Sequence, residues 1–118
     1  MSDWPIEEIP DKDSLYRCVH RQHVRDGSIA PGAFGKDYRM SVDWGEYSNP
    51  EQARNRRKKP EDNAVVALIA GEVRGLRSQT VEHAPIPVNR SHSEVVGEKS
   101  ERVRIELSRI CEVVIPLE

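Results

Sequence analysis

The stretch NAVVALIAGEVRGL, residues 63–76, is the apolar centre of the chain. Every residue from Val65 to Ile69 is apolar, which is typical of a strand that is buried on both faces. Gly71 allows a turn directly after this run, and EVRGL, residues 72–76, suits a single short helical turn. The stretch therefore predicts a strand in the interior of a sheet.

Shorter strands are predicted on both sides of this one. YRMSVDW, residues 38–44, has the clearest pattern, because apolar and polar residues alternate at a period of two, as in a half-buried strand. DGSIAPGAFG, residues 26–35, is predicted to be a loop because it is rich in glycine and proline. Further strands are predicted within LYRCVH (residues 15–20), QTVEHAPIPV (79–88) and NRSHSEVVG (89–97).

A short polar helix is predicted over residues 50–59. Asn49 suits the N-cap, Pro50 the first helical position and Gln52 the third. Cations gather toward the C-terminal end, where the helix dipole favours them, and Pro60 ends the helix. The helix is therefore basic and has almost no apolar face.

The last part of the chain shows two periods at once. RVRIELS, residues 102–108, alternates like a strand, yet four apolar residues repeat at steps of four, three and four, as in a helix. These residues are Val103, Leu107, Ile110 and Val114. The length of the pattern favours a helix from about 98 to 113. The predicted fold class is α+β, a small four- to five-stranded sheet with a long C-terminal amphipathic helix and a short polar basic helix.

The length of 118 residues fits one domain, which we place at residues 14–118, preceded by an acidic extended arm at residues 1–13. Trp4, Ile6 and Ile9 are the apolar points of the arm and candidates for docking on a partner, although docking on the chain's own domain is favoured. The formal net charge of −2 gives no global attraction to nucleic acid or membrane.

The cellular setting predicted from the sequence is the cytoplasm. The two cysteines, Cys18 and Cys111, make no disulfide framework, and free thiols suit a reducing compartment. The start of the chain lacks an apolar signal segment, and no stretch approaches the roughly 20 apolar residues of a membrane span. We therefore expect no membrane partner.

LYRCVHRQHVRDG, residues 15–27, concentrates arginine and histidine. Arg17, Arg21 and Arg25 are four residues apart, a spacing that places them on one side of either a helix or a strand. Arginine suits bidentate recognition of phosphate or carboxylate, but a solvated row of charges is the alternative. His20 and His23 would face opposite sides of a strand, so no metal site and no cofactor are expected. The candidate anion-binding residues are Arg17, Arg21, His20 and His92.

RNRRKK, residues 54–59, is the most basic run. Clustered cations can neutralise nucleic-acid phosphates, and the nearby Trp44 and Tyr47 could stack on a base. A solvated helix, or a helix that contacts an acidic protein, is the favoured alternative in a chain of net negative charge. The basic patch consists of Arg54, Arg56, Arg57, Lys58 and Lys59.

The sequence alone gives little support for a catalytic function. The chain has no nucleophile-elbow, Walker or dinucleotide-binding motif, and the sequence places no base beside Ser41. His92 lies between Ser91 and Ser93, where a structural role is the favoured interpretation, and Glu94 shares its strand face. Whether the chain is an enzyme stays open.

Several strings together resemble a family of small, uncharacterised bacterial single-domain proteins. They are LYRCVH, AFG, MSVDW and NRSHSEVVG, followed by the closing amphipathic segment. The resemblance implies a stand-alone cytosolic α+β domain and transfers no functional residues. The LYR strand is also similar to the start of ADP-ribosyltransferase-like folds, but no glutamate motif follows on a later strand.

Three functions follow as hypotheses. The first is a small cytosolic binding or adaptor protein that acts in a protein complex through the arm or the basic helix. The second is an enzyme or sensor for a phosphate-bearing small molecule that uses the arginine and histidine cluster. The third is nucleic-acid binding through the basic helix at 50–59.

Overall fold

The computed structural model describes residues 3–117, which contain eight strands and three α-helices. The strands are β1 Ser14–His20, β2 Val24–Arg25, β3 Ser28–Ile29, β4 Arg39–Trp44, β5 Asn63–Ile69, β6 Thr80–His83, β7 His92–Val96 and β8 Glu112–Ile115. Six of them form an antiparallel sheet in the order β6-β7-β4-β1-β5-β8, and β2 pairs with β3 in a separate hairpin. The helices are α1 Pro50–Asn55, α2 Ala70–Arg74 and α3 Glu101–Ile110.

The apolar run forms strand β5 and lies inside the sheet. It pairs with β1 along its whole length, from Ser14 opposite Ile69 to His20 opposite Asn63. One face of β5 joins the main core, and α1 packs over the other face. Burial on both faces explains why the run is apolar at every position.

The main core lies on the sheet face that carries Leu15, Met40 and Leu68. Phe34, from a 3₁₀ turn at Pro31–Phe34, and Leu107 of α3 are fully buried in the same cluster. Loss of a fully buried leucine or phenylalanine side chain costs about 3–5 kcal/mol, so these contacts hold α3 on the sheet.

The predicted fold class is wrong in its sheet and in its long helix. The sheet has six strands instead of four or five, the described chain is mostly β, and α3, with 10 residues, is its only helix of seven or more. The chain leaves the helix at Cys111 and forms β8, which pairs with the free edge of β5. Val114, which continued the helical period, therefore lies in a strand.

The basic helix begins as predicted and ends early. Asn49 Oδ1 accepts a hydrogen bond from Gln52 N at 2.9 Å, which confirms the N-cap. The helix ends at Asn55, because Arg54 Nε donates to the carbonyls of Pro60 and Asn63 and ties the next turn back onto the chain. Residues 56–59 are therefore not helical.

The segment predicted as a loop at residues 26–35 contains more order than expected. Asp26 and Gly27 have positive φ angles of 51° and 79°, the conformation of a two-residue hairpin turn between β2 and β3. The Asp-Gly pair was the sequence signal for this hairpin, and the general loop assignment missed it.

The N-terminal arm docks on the sheet. Ile9 is 2% exposed and belongs to the main core, whereas Ile6 is 77% exposed. Trp44 Nε1 donates to Asp13 Oδ2 at 2.9 Å, and Gly71 N donates to Asp11 O at 2.8 Å. None of the helices in residues 3–117 has the length and apolar content needed to cross a membrane.

Candidate functional site

The arginine row does not form one surface. Strand β1 ends at His20, and a 3₁₀ turn at Arg21–His23 redirects the chain before Arg25. Arg21 Nε pairs with Asp62 Oδ1 at 3.1 Å on the surface, while Arg25 lies in the β2–β3 hairpin. His20 is exposed, and its Nδ1 accepts the backbone N–H of Gln22. Of the candidate anion-binding residues, Arg17 and His92 share a neighbour, because Arg17 donates to the backbone oxygen of Ser41 and His92 contacts the Ser41 hydroxyl.

Arg17 lies within β1 between the buried Leu15 and Val19. Strands β1 and β4 pair only near Leu15 and Tyr16, and the guanidinium group fills the opening beyond that point. Its Nε and Nη2 both donate to Ala33 O at 3.2 Å, and its Nη1 donates to Ser41 O at 2.9 Å. Three of its five N–H groups are used in this way.

The charge of Arg17 has no close carboxylate partner. No ion pair joins it to an acidic side chain anywhere in residues 3–117. Burial lowers the pKa of Arg17, Asp37 opposes this change, and the neighbouring charge of Arg57 lowers the pKa further. A cation that is partly desolvated and lies near a like charge is a candidate anion site.

A cleft of about 260 Å³ opens between α1 and the strands β1 and β4. It is polar, because one wall is the end of α1 with its following turn and the other is the polar face of β4. The side chains that give it its chemistry are Arg17, Cys18, Ser41, Asp43, Arg56 and Arg57.

The basic patch divides at this cleft. Arg54 is held by backbone carbonyls, and Arg56 Nη1 donates to Asp43 Oδ2 and forms an ion pair with it. Arg57 lines the cleft, and its side chain makes no hydrogen bond or ion pair within the described residues. Lys58 and Lys59 are exposed and lie outside the cleft.

Cys18 is a poor candidate for the reactive group of the cleft. Its Sγ donates to Ala53 O at 3.3 Å. Burial raises the pKa of the Cys18 thiol, even though Arg57 and Arg17 act in the opposite direction. Because the thiolate is the nucleophilic form, the side chain stays an unreactive thiol near neutral pH.

Ser41 and His92 meet at the edge of the cleft. His92 Nε2 lies 3.3 Å from Ser41 Oγ, and His92 Nδ1 lies 2.8 Å from Ala84 O. The two residues lie on neighbouring strands, β4 and β7, and Asp43 is directly opposite His92. The pairing register of these strands is a long-range property, so nothing in the local sequence pointed to a base for Ser41.

The partner-docking candidates of the arm lie apart from the cleft. The guanidinium of Arg90 stacks over the ring of Tyr47 at 3.9 Å and over the ring of Trp4 at 4.8 Å. Glu7 N donates to His83 Nδ1 at 3.0 Å, which holds the arm on β6. Ile9 lies in the core, and Ile6 is the most exposed of the three side chains.

Comparison of the chain with protein-family models, curated proteins and solved structures found no match. The resemblance to small bacterial proteins stays a prediction from the sequence. Within the range 3–117, no group of three or more histidine, cysteine, aspartate or glutamate side chains is placed to hold a metal ion.

Proposed function

We propose that the chain binds a small phosphate-bearing molecule in the cleft between α1 and strands β1 and β4. The observation that carries this proposal is Arg17, a partly buried guanidinium that lines the cleft without an ion-pair partner among residues 3–117. A phosphate group would supply the missing negative charge and accept the two N–H groups that the backbone leaves free.

The neighbouring charges support an anion in this position. Arg17 and Arg57 act on each other as like charges, and Arg56 is already neutralised by Asp43. The cleft therefore carries two guanidinium charges that its own carboxylate does not balance. An oxyanion placed between them would remove the repulsion and form bidentate hydrogen bonds with either planar group.

The size of the cleft limits the ligand. Its volume of about 260 Å³ lies just below the roughly 300–1,000 Å³ that is usual for sites of drug-sized molecules. The cleft suits one phosphate group and a small organic body, with any larger part of the ligand extending into solvent.

The proposal predicts a specific loss of affinity in Arg57→Gln. A hydrogen bond to a charged group contributes about 1.5–3 kcal/mol, which corresponds to a loss of about 10- to 100-fold in affinity. Isothermal titration calorimetry with inorganic phosphate, pyrophosphate and a panel of nucleoside and sugar phosphates measures this loss for the probe that binds the wild-type chain.

Lys58→Gln is the matched control, because it removes the same charge one residue away and outside the cleft. The proposal expects Lys58→Gln to bind like the wild type. Equal losses in the two variants would indicate a diffuse charge effect, and no binding by any probe would contradict the proposal.

The other two hypotheses stay predictions. Nucleic-acid binding through the patch would use the exposed Arg57, Lys58 and Lys59 together, and it therefore predicts equal, salt-sensitive weakening of a gel shift in Arg57→Gln and Lys58→Gln. The adaptor hypothesis would use the exposed Trp4 and Ile6, since Ile9 already packs in the chain's own core.

A further inference from the structure

The arrangement around Ser41 matches that of an activated nucleophile. Ser41 lines the cleft, and its Oγ lies 3.3 Å from Nε2 of His92. The hydrogen bond between a nucleophile and its base is often this loose before a substrate is bound. The third element of such a site is a group that orients the base, and here it is the carbonyl of Ala84, 2.8 Å from His92 Nδ1.

The carbonyl of Ala84 fixes the tautomer of His92. A carbonyl oxygen accepts hydrogen bonds and cannot donate them, so Nδ1 must carry the proton in this contact. In the neutral ring, Nε2 is then unprotonated and its lone pair faces Ser41 Oγ. This is the tautomer that takes a proton from the serine hydroxyl.

Ser41 lies beside the proposed phosphate site. Arg17 and Ser41 both line the cleft, and Arg17 Nη1 donates to the backbone oxygen of Ser41 at 2.9 Å. Asp43 is opposite His92 in the β4–β7 pairing, and Glu94 is opposite Ser41. Both carboxylates are paired with arginines, Asp43 with Arg56 and Glu94 with Arg39, so neither is left as an unbalanced charge beside the imidazole.

We infer that Ser41 is a catalytic nucleophile and His92 its general base, and that the cleft hydrolyses small phosphate monoesters. The inference rests on the proposed function, because it uses the same phosphate site. In the first step Ser41 Oγ attacks phosphorus, the Oγ–P bond forms and the bond to the alcohol oxygen breaks. His92 Nε2 takes the serine proton and holds it, and solvent supplies a proton to the departing alcohol oxygen, which lies in line on the far side of phosphorus.

The second step regenerates the enzyme. Water attacks the phosphorus of phosphoserine 41 on the side opposite Oγ and releases one proton to solvent. The Oγ–P bond breaks, the proton held on His92 Nε2 returns to Ser41 Oγ, and inorganic phosphate leaves. The net reaction consumes one phosphate monoester and one water molecule and yields one alcohol and one phosphate, so no metal, oxidant or reductant is required by the balance.

The test measures turnover, the covalent intermediate and binding on the same 118-residue chain. The substrates are p-nitrophenyl phosphate and a panel of small phosphate monoesters. Ser41→Ala and His92→Gln are each expected to lower turnover at least about 100-fold, since positioned acid–base groups contribute about 10²–10⁴-fold. Acid quenching followed by peptide mass spectrometry is expected to find phosphoserine at position 41 in the wild type and none in Ser41→Ala.

Matched controls separate chemistry from structure. Ser41 is exposed, so Ser41→Ala is expected to keep the wild-type circular dichroism spectrum and to bind inorganic phosphate within about two-fold of the wild type. Ser28→Ala removes an exposed hydroxyl from β3, outside the cleft, and is expected to turn over substrate like the wild type.

The outcomes distinguish this inference from the proposed function. Phosphate binding without turnover or phosphoserine across the whole panel overturns the inference and leaves the binding function in place. Turnover that persists in Ser41→Ala also overturns it. No binding of phosphate by the wild type overturns both.

Discussion

Replacing Gly97 with alanine is expected to lower the free energy of unfolding by about 4 kcal/mol. The φ angle of Gly97 is +146°, which side chains rarely adopt, and strain of this kind costs about 1–3 kcal/mol. An alanine Cβ would lie 2.0 Å from the backbone oxygen of Ser78 and 2.8 Å from Gln79 Nε2. Relief of such overlap requires backbone movement, at a further cost of about 1–3 kcal/mol.

The loss would be a large fraction of the roughly 5–15 kcal/mol that stabilises a typical domain. Urea unfolding followed by circular dichroism measures it. Gly27→Ala is the matched control, because Gly27 also has a positive φ angle, of 79°, but has no atom within 4 Å of the added Cβ. That variant is expected to lose only about 1 kcal/mol. Similar losses in the two variants would show that overlap with Ser78 does not contribute.

Features that depend on near neighbours in sequence could be predicted. Strand β4 follows its alternation of apolar and polar residues, with Met40, Val42 and Trp44 buried. The cap at Asn49 depends on an interaction over three residues and was also predicted. Tyr38 shares the alternation but is 62% exposed, because the strand begins only at Arg39.

Features that depend on distant pairing could not be predicted in the same way. The apolar residues at the end of the chain fit a helix and a strand about equally, and the open edge of β5 determines that Glu112–Ile115 becomes a strand. Strand β8 is stabilised by hydrogen bonds to β5, which lies more than 40 residues earlier in the chain, since Ile115 pairs with Val65. Local patterns carry no information about it.

The candidate site shows the same limit. A spacing of four placed Arg17, Arg21 and Arg25 on one face only if a single element continued through all three, and β1 ends before Arg21. The contact between Ser41 and His92 joins residues 51 positions apart through the β4–β7 register. The residue types therefore indicated candidate site residues, and the pairing register of the strands determined which of these residues contact each other.

Lys99 is a second buried cation near Arg17, and it is expected to make stability depend on pH. The residue is only 5% exposed, and its Nζ donates to the carbonyls of Gly97, Val95 and Tyr38 at 2.7, 3.0 and 3.3 Å. Burial lowers the pKa of Lys99 from 10.5 to about 8, with a further lowering from Arg17 and an opposing effect of Asp37.

The sign of the effect follows from proton binding. Between pH 8 and 10.5 the unfolded chain holds a proton on Lys99 that the folded chain has released, so the free energy of unfolding rises with pH through this window. The difference in pKa corresponds to about 3 kcal/mol, which is the cost of the buried charge below pH 8.

Lys99→Met keeps the apolar part of the side chain and removes the titrating group. The free energy of unfolding of this variant is therefore expected not to rise between pH 8 and 10.5 on account of residue 99. Urea unfolding of both proteins at intervals from pH 7 to 10.5 measures the difference between their free energies of unfolding. The contributions of the other titrating groups are the same in both proteins and cancel in this difference. The wild type is expected to gain about 3 kcal/mol relative to Lys99→Met across the window. The exposed Lys58→Met variant should follow the wild type, and a wild-type minus Lys99→Met difference that does not change with pH would show that Lys99 stays charged in the folded protein.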